Sequence, residues 1–206
     1  MLKTYLDTEK LSVKLGMVFS RFGLSPNAWT VLAILPALAG FVALAIWYDL
    51  LLGLLFFLAA GVIDAIDGAV ARVTSRVSAM GAFLDGVIDR YVEFLMYLGL
   101  LLFMMSRAPV FLAENYVCIT LLVFGALMPT FIRAYADHRK VVTEPADLRR
   151  MGGLLERAER LTLLYAGLLL GIYDLLWLVY VVAAASVLAN FTAFQRLWFV
   201  IRYKPE

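Results

Sequence analysis

Four aspartates, Asp64, Asp67, Asp85 and Asp89, stand in the stretch DAIDGAVARVTSRVSAMGAFLDGVIDR (residues 64–90), flanked on both sides by runs apolar enough for lipid. Asp64 and Asp67 are i, i+3, and Asp85 and Asp89 are i, i+4, so on helices each pair shares a face. An aspartate near the middle of a spanning helix costs about 2.5–3.5 kcal/mol, and such residues are functional by default. Carboxylates at close range cannot all stay ionised without cations. An oxygen-only donor set, with no His or Cys, suits Mg²⁺, Mn²⁺ or Ca²⁺ rather than zinc. Mg²⁺ retains waters and takes up phosphate oxygens, so such a centre suits a phosphorylated substrate. The structural alternative is that the aspartates snorkel at a helix end or pair with Arg72, Arg76 and Arg90.

The elements that must position them are membrane helices. Hydrophobic residues make up 64% of the 206 residues, and the mean hydropathy is +0.88. The apolar residues fall in long blocks between short polar joints, the pattern of a polytopic membrane protein. The periodicity predicts an all-α integral membrane fold with six spanning helices, at about 27–48, 50–73, 78–105, 109–138, 157–173 and 175–200, with kinks at Pro36 and Pro129. Before them, residues 1–24 read as an amphipathic interfacial helix. Lys3, Asp7, Lys10, Lys14 and Arg21 share one face, and Leu11, Leu15, Val18, Phe19 and Phe22 the other. This start is not a cleavable signal pattern. Gly23 ends that helix, and Ser25 with Pro26 starts the next. The membrane domain is then 25–206.

Of the 18 Lys and Arg, only Arg107 falls on the side reached by the joints near 49, 106–108 and 174. The positive-inside rule therefore puts both termini and the aspartate ends of the helices in the cytoplasm. Counted from the outer helix ends, Asp64, Asp89, Asp67 and Asp85 lie about 21, 24, 26 and 30 Å in. Small residues (Gly61, Ala65, Gly68, Ala69 and Ala71 on one helix, Ala79, Gly81, Ala82 and Gly86 on the next) are expected to let the two helices approach. A net charge of +2 with no basic stripe interleaved with aromatics gives no sign of nucleic-acid binding. Cys118, alone, reads as a packing residue.

The spacing Asp64-x2-Asp67-Gly68-x2-Ala71-Arg72-x8-Gly81-x3-Asp85-x3-Asp89 resembles the signature of the CDP-alcohol phosphotransferase family of membrane enzymes. The resemblance covers nearly the whole chain. It implies transfer of a substituted phosphate from a CDP-linked donor to an alcohol, with release of CMP. It also implies Mg²⁺ or Mn²⁺ on Asp64, Asp67 and Asp85, and Asp89 as the base and a possible additional ligand. Asp67, Gly68, Gly81 and Arg72 match positions of the CDP site. Asn27, in SPNAWT, is similar to the family's Pro-Asn element near the nucleotide, or else simply caps the helix. A homodimer and a prokaryotic plasma membrane, with a CDP-linked lipid as donor, complete what the resemblance implies.

The acceptor has to be read from basic residues outside the signature. Arg133 in PTFIRAYAD, Arg157 and Arg160 in GLLERAER, and Arg196 in FQRLWF could hold an anionic alcohol, or serve as positive-inside anchors pairing with Glu156 and Glu159. Arg139, Lys140, Arg149, Arg150 and His138, in the polar joint, read as solvated. GLLERAER resembles phosphatidylinositol-phosphate synthases and their archaeal counterparts, which implies inositol phosphate as acceptor. TFIRAYAD departs from their Ser-Tyr-x-Lys-Ala-Arg pattern, with Arg133 for lysine and Tyr135 for arginine. Glycerol phosphate is the next acceptor. From another class, a divalent-cation transporter would explain the carboxylates but leave Gly68 and Arg72 without a role, and a purely structural protein would leave their cost unexplained.

Overall fold

A computed structural model describes residues 8–107 and 112–203 and, within them, only helices and turns. The elements are α1 (Thr8–Ser20), α2 (Pro26–Leu32), α3 (Ile34–Ala45), α4 (Leu50–Val73), α5 (Ala79–Arg107), α6 (Leu112–His138), α7 (Pro145–Arg150), α8 (Arg157–Gly171) and α9 (Leu175–Arg202). Among the described residues four stretches are long and apolar enough to cross a membrane: Pro26–Ala45, Leu50–Val73, Asn115–His138 and Leu175–Arg202. Of the other two expected spans, α5 has 29 residues but carries Asp85, Asp89, Arg90 and Glu93. Helix α8, with 15 residues, extends only about 22 Å at about 1.5 Å per residue. The chain forms two compact units, Met1–Gly99 and Leu100–Glu206.

In the first unit α4 is the hub, packed by α1, α2 and α3. Residues 1–7 of the expected interfacial helix, with Lys3 and Asp7, lie outside the described residues, as do the side chains of Lys10 and Leu11 and residues 109–111 of the fourth span. Along the rest of α1, Lys14, Arg21, Val18 and Phe22 are exposed, while Leu15 and Phe19 turn inward. Phe19 packs on the buried cluster of Trp29, Ile66 and Val70. At Gly16 the helix touches α4, where a Cβ would stand 2.5 Å from the Ala69 carbonyl oxygen and 2.6 Å from Val73 Cγ2.

The turn into α2 follows its sequence. Gly23 takes a left-handed φ of 70°, the Ser25 hydroxyl accepts from the Ala28 N–H at 3.2 Å, and Pro26 opens the helix. The expected kink at Pro36 appears as a break at Ala33, between α2 and α3. The physical reason is that Pro36 has no N–H for the carbonyl of Leu32, where α2 ends. Asp49 caps α4 by accepting from Leu52 N–H at 2.9 Å.

In the second unit α9 packs on α6 and α8. A Cβ on Gly125 would lie 2.7 Å from Asn190 Nδ2, and that amide donates to the Leu121 carbonyl at 2.7 Å. Pro129 lies inside α6 without ending it. The joint expected to be polar and solvated is organised instead: it contains α7, and Val142 and Met151 are buried with Ala136 against Leu148, Phe199, Val200 and Tyr203. Further on, Thr192 Oγ1 accepts from Leu155 N–H at 2.9 Å and Gln195 Oε1 from Leu154 N–H at 2.9 Å, which straps the approach to α8 onto α9.

Candidate donor and metal site

Helices α4 and α5 bring Asp64, Asp67 and Asp85 together, with one carboxylate oxygen of each within 4.8 Å of the others. Asp67 is buried, and its Oδ2 has no hydrogen-bond partner among the described residues. Ligand bonds of about 2.0–2.6 Å to a Mg²⁺ or Ca²⁺ ion require separations of this order, and a buried carboxylate oxygen demands a partner. Three oxygens with no nitrogen or sulfur donor among them therefore fit a hard divalent cation. Asp89 stands one turn further along α5, half-buried and outside the close trio.

A cavity of about 320 Å³ adjoins these carboxylates, lined by Pro26, Asn27, Thr30, Asp67, Gly68, Ala71, Arg72, Arg76, Val77, Ser78, Gly81, Ala82 and Asp85. Every residue expected at a nucleotide is there: Asn27, Asp67, Gly68, Arg72 and Gly81. Because Ser25 is the cap of α2, Asn27 is free of that duty, and its Oδ1 would lie 3.3 Å from a Cβ on Gly81. The Gly81 N–H donates to Ser78 Oγ at 3.0 Å, opening α5. A Cβ on Gly68 would meet Arg72 Nη1 at 3.3 Å, so the guanidinium folds back over the bare glycine. Arg72 Nη2 donates to Ser12 Oγ at 2.8 Å.

The small residues do something other than expected. Gly61 and Gly86 face open space among the described residues, so they mark no tight helix seam. Gly68, Ala71, Gly81 and Ala82 instead leave the volume of the cavity, and Ala69 lies under Gly16. Sequence reasoning passed over Thr30, Arg76 and Ser78 as lining residues; being on α2 and the α4–α5 turn, they enter only through the tertiary fold. It also missed Glu93, one turn past Asp89 on α5. Glu93 is buried, accepting from Arg90 Nη1 at 2.7 Å and from Tyr97 Oη at 2.6 Å. The available signal was a carboxylate in an apolar run, spaced i+4 from Asp89.

In the second unit Arg196 is buried, its Nη1 donating to the Pro129 carbonyl at 2.9 Å and its Nη2 to Glu156 Oε1 at 3.2 Å. Arg133 and Arg160 are within electrostatic reach of it. Arg160 is buried on the first turn of α8, three residues after the half-buried Arg157. Arg133 is exposed and lines a second cavity of about 580 Å³ with Thr130, Ala134, Asp137, Pro145, Leu148 and Arg149. His138, Arg139, Lys140 and Arg150 are exposed as expected; Arg149 is also exposed, yet it is part of that cavity.

The CDP-alcohol phosphatidyltransferase family model matches residues 23–192. The chain is 29% identical over 194 residues to archaetidylinositol phosphate synthase of Aeropyrum pernix, covering 93% of this chain and 90% of that protein. It superposes on the crystal structure of Mycobacterium tuberculosis phosphatidylinositol phosphate synthase with CDP-DAG bound, with a TM-score of 0.81 at 22% identity over 94% of each chain. For the same protein in complex with manganese and citrate the TM-score is 0.78 at 22% identity, covering 93% of this chain and 89% of that one. Fold, signature and family model agree: the chain belongs to the CDP-alcohol phosphatidyltransferase family, a family of phosphotransferase enzymes.

Proposed function

We propose that this enzyme transfers a phosphatidyl-type phosphate, with diacyl or archaeal ether tails, from a CDP-linked lipid to a hydroxyl of inositol phosphate, releasing CMP. The observation that carries this reading is the carboxylate trio of Asp64, Asp67 and Asp85 beside a cavity holding Asn27, Gly68, Arg72 and Gly81. Asp64, Asp67 and Asp85 hold Mg²⁺ or Mn²⁺, with Asp89 as a possible further ligand. Bound there, the metal neutralises the diphosphate and polarises the phosphorus under attack.

The chain's own residues do the rest. Arg72 has no ion pair among the described residues, so its remaining N–H groups are available to a phosphate, which a guanidinium holds by two bonds. Gly68 and Gly81 let the nucleotide approach backbone, and Asn27 offers an amide from the rim. Asp89 accepts the proton of the acceptor hydroxyl. The hydroxyl oxygen bonds to the lipid-bearing phosphorus as the bond from that phosphorus to CMP breaks. Arg133, Arg157, Arg160 and Arg196 serve the acceptor's phosphate. Inositol phosphate takes precedence over glycerol phosphate because relatives named archaetidylinositol phosphate and phosphatidylinositol phosphate synthase match most of the chain.

In this reading residues 1–24, of which the structure describes α1, are the interfacial segment, and 25–206 are one membrane domain of six spans, α5 and α8 included. Both termini and the active site face the cytoplasm at a prokaryotic plasma membrane, and the working form is a homodimer.

The test is CMP release from purified protein given Mg²⁺ or Mn²⁺, a CDP-lipid and a panel of inositol phosphate, glycerol phosphate and inositol. Metal-dependent CMP with inositol phosphate is expected. CMP with glycerol phosphate alone would reassign the acceptor; no CMP with any acceptor, but divalent-ion uptake into vesicles, would overturn the enzyme in favour of a transporter.

A further inference from the structure

Helix α1 enters the donor site through a single hydroxyl. Ser12 and Gly16 are i, i+4, so they share the face of α1 that docks on α4. On α4 the matching positions are Ala69 and Val73, which close on Gly16, beside Gly68 and Arg72. Gly16 leaves no room for a side chain there, which fixes the register of α1. A slip of one residue would move the Ser12 hydroxyl by about 1.5 Å and turn it about 100° away. In the observed register Ser12 Oγ accepts from Arg72 Nη2 at 2.8 Å. The guanidinium is thus held between the hydroxyl and bare Gly68, where a Cβ would come within 3.3 Å of Nη1 and 3.7 Å of Nη2. This hydrogen bond is the one polar contact of Arg72 among the described residues.

We propose that Ser12 is a positioning residue for the CDP-linked donor: it fixes the pose of the Arg72 guanidinium at the cavity, making α1 part of the donor site. The proposal rests on the reading of Arg72 as a donor-phosphate ligand. An arginine has many rotamers and five N–H donors in a planar fork. Tying down one N–H on α1 aims the rest and removes disorder that phosphate binding would otherwise have to remove.

The experiment uses the full-length protein, with KM for the CDP-lipid and calorimetric affinity for CMP plus Mn²⁺ measured side by side. Ser12→Ala is expected to raise the donor KM about fivefold, to weaken CMP to a similar extent, and to leave kcat and the acceptor KM nearly unchanged. Ser12→Thr, which keeps the hydroxyl, restores both. In an Arg72→Ala background, Ser12→Ala has no further effect, because coupled residues are not additive. Gly16→Leu, which dislodges α1, reproduces the Ser12→Ala loss. Unchanged donor KM and CMP affinity in Ser12→Ala would overturn the proposal, as would additive losses with Arg72→Ala, which mark mere helix packing. A wild-type protein that releases no CMP with any acceptor sinks the proposed function instead, and the CMP-affinity comparison then still decides whether Ser12 positions Arg72.

Discussion

In the unit ending at Gly99, Asp64, Asp67 and Asp85 converge within 4.8 Å, and Arg72 and Arg76 line the adjoining cavity with no ion pair among the described residues. Away from the trio that unit also pairs Arg90 with Glu93 at 2.7 Å; in the unit beginning at Leu100, charges of opposite sign meet. Arg196 pairs with Glu156 at 3.2 Å, Lys140 with Asp137 at 3.1 Å and Arg150 with Asp147 at 3.3 Å. Like charges held together raise the free energy of the protein until a counter-ion arrives. At the buried Arg196 the opposite charge of Glu156 lowers the cost of burial, while the exposed pairs add little. One arrangement invites ligands; the other first serves the fold and has only part of its cationic surface left for a substrate.

The strongest way to break this contrast is to neutralise one carboxylate of the trio. Asp67→Asn or Asp85→Asn should cut CMP release about 10³-fold, and Mn²⁺ affinity followed by electron paramagnetic resonance should fall with it. Asp89→Asn should cost about 10²-fold in turnover while Mn²⁺ affinity holds, since it stands outside the trio. An equal loss of Mn²⁺ would make Asp89 a ligand first. Less severe is truncation in the second unit: Arg133→Ala and Arg157→Ala should each raise the acceptor KM about tenfold with the donor KM unmoved. If only thermal stability changes, these arginines are anchors.

The smallest effects test the sign of the difference. Glu156→Gln should lower the Tm by a few degrees, because Arg196 keeps its buried charge, while the 48% exposure of Glu156 limits the loss to about 1 kcal/mol. Asp64→Asn, the same neutralisation in the first unit, should raise the Tm of metal-free protein by a few degrees through relief of repulsion. Both shifts are readable in one thermal melt series, and the same sign in both would erase the distinction.

The aspartates were legible from sequence because helix periodicity alone puts Asp64 with Asp67 and Asp85 with Asp89. The start of α2 was legible too, since Gly23, Ser25 and Pro26 act within one turn of chain. What escaped depends on residues far apart in sequence. Ser12 meets Arg72 across 60 positions, and nothing in the local pattern of α1 marks its hydroxyl. Glu93, passed over in the sequence, is held by Arg90 and Tyr97. The joint after α6 looked solvated because its composition is charged. Val142 and Met151 are nevertheless buried with Ala136 and packed by Leu148 of α7 and by Phe199, Val200 and Tyr203. The break at Ala33 fell just after Leu32, whose carbonyl lacks its partner because Pro36, four residues on, has no N–H.

Pro129 leads to a different kind of consequence. A proline within a long helix removes one N–H and usually supplies a place to bend. Here the Pro129 carbonyl receives a charge-assisted bond from the buried Arg196 at 2.9 Å, and a few turns away Asn190 clasps the Leu121 carbonyl at 2.7 Å. Swinging α6 about this point would break that bond and leave Arg196 only its pair with Glu156. The proline is therefore a pinned joint, tied to α9 at the point where a helix most readily bends.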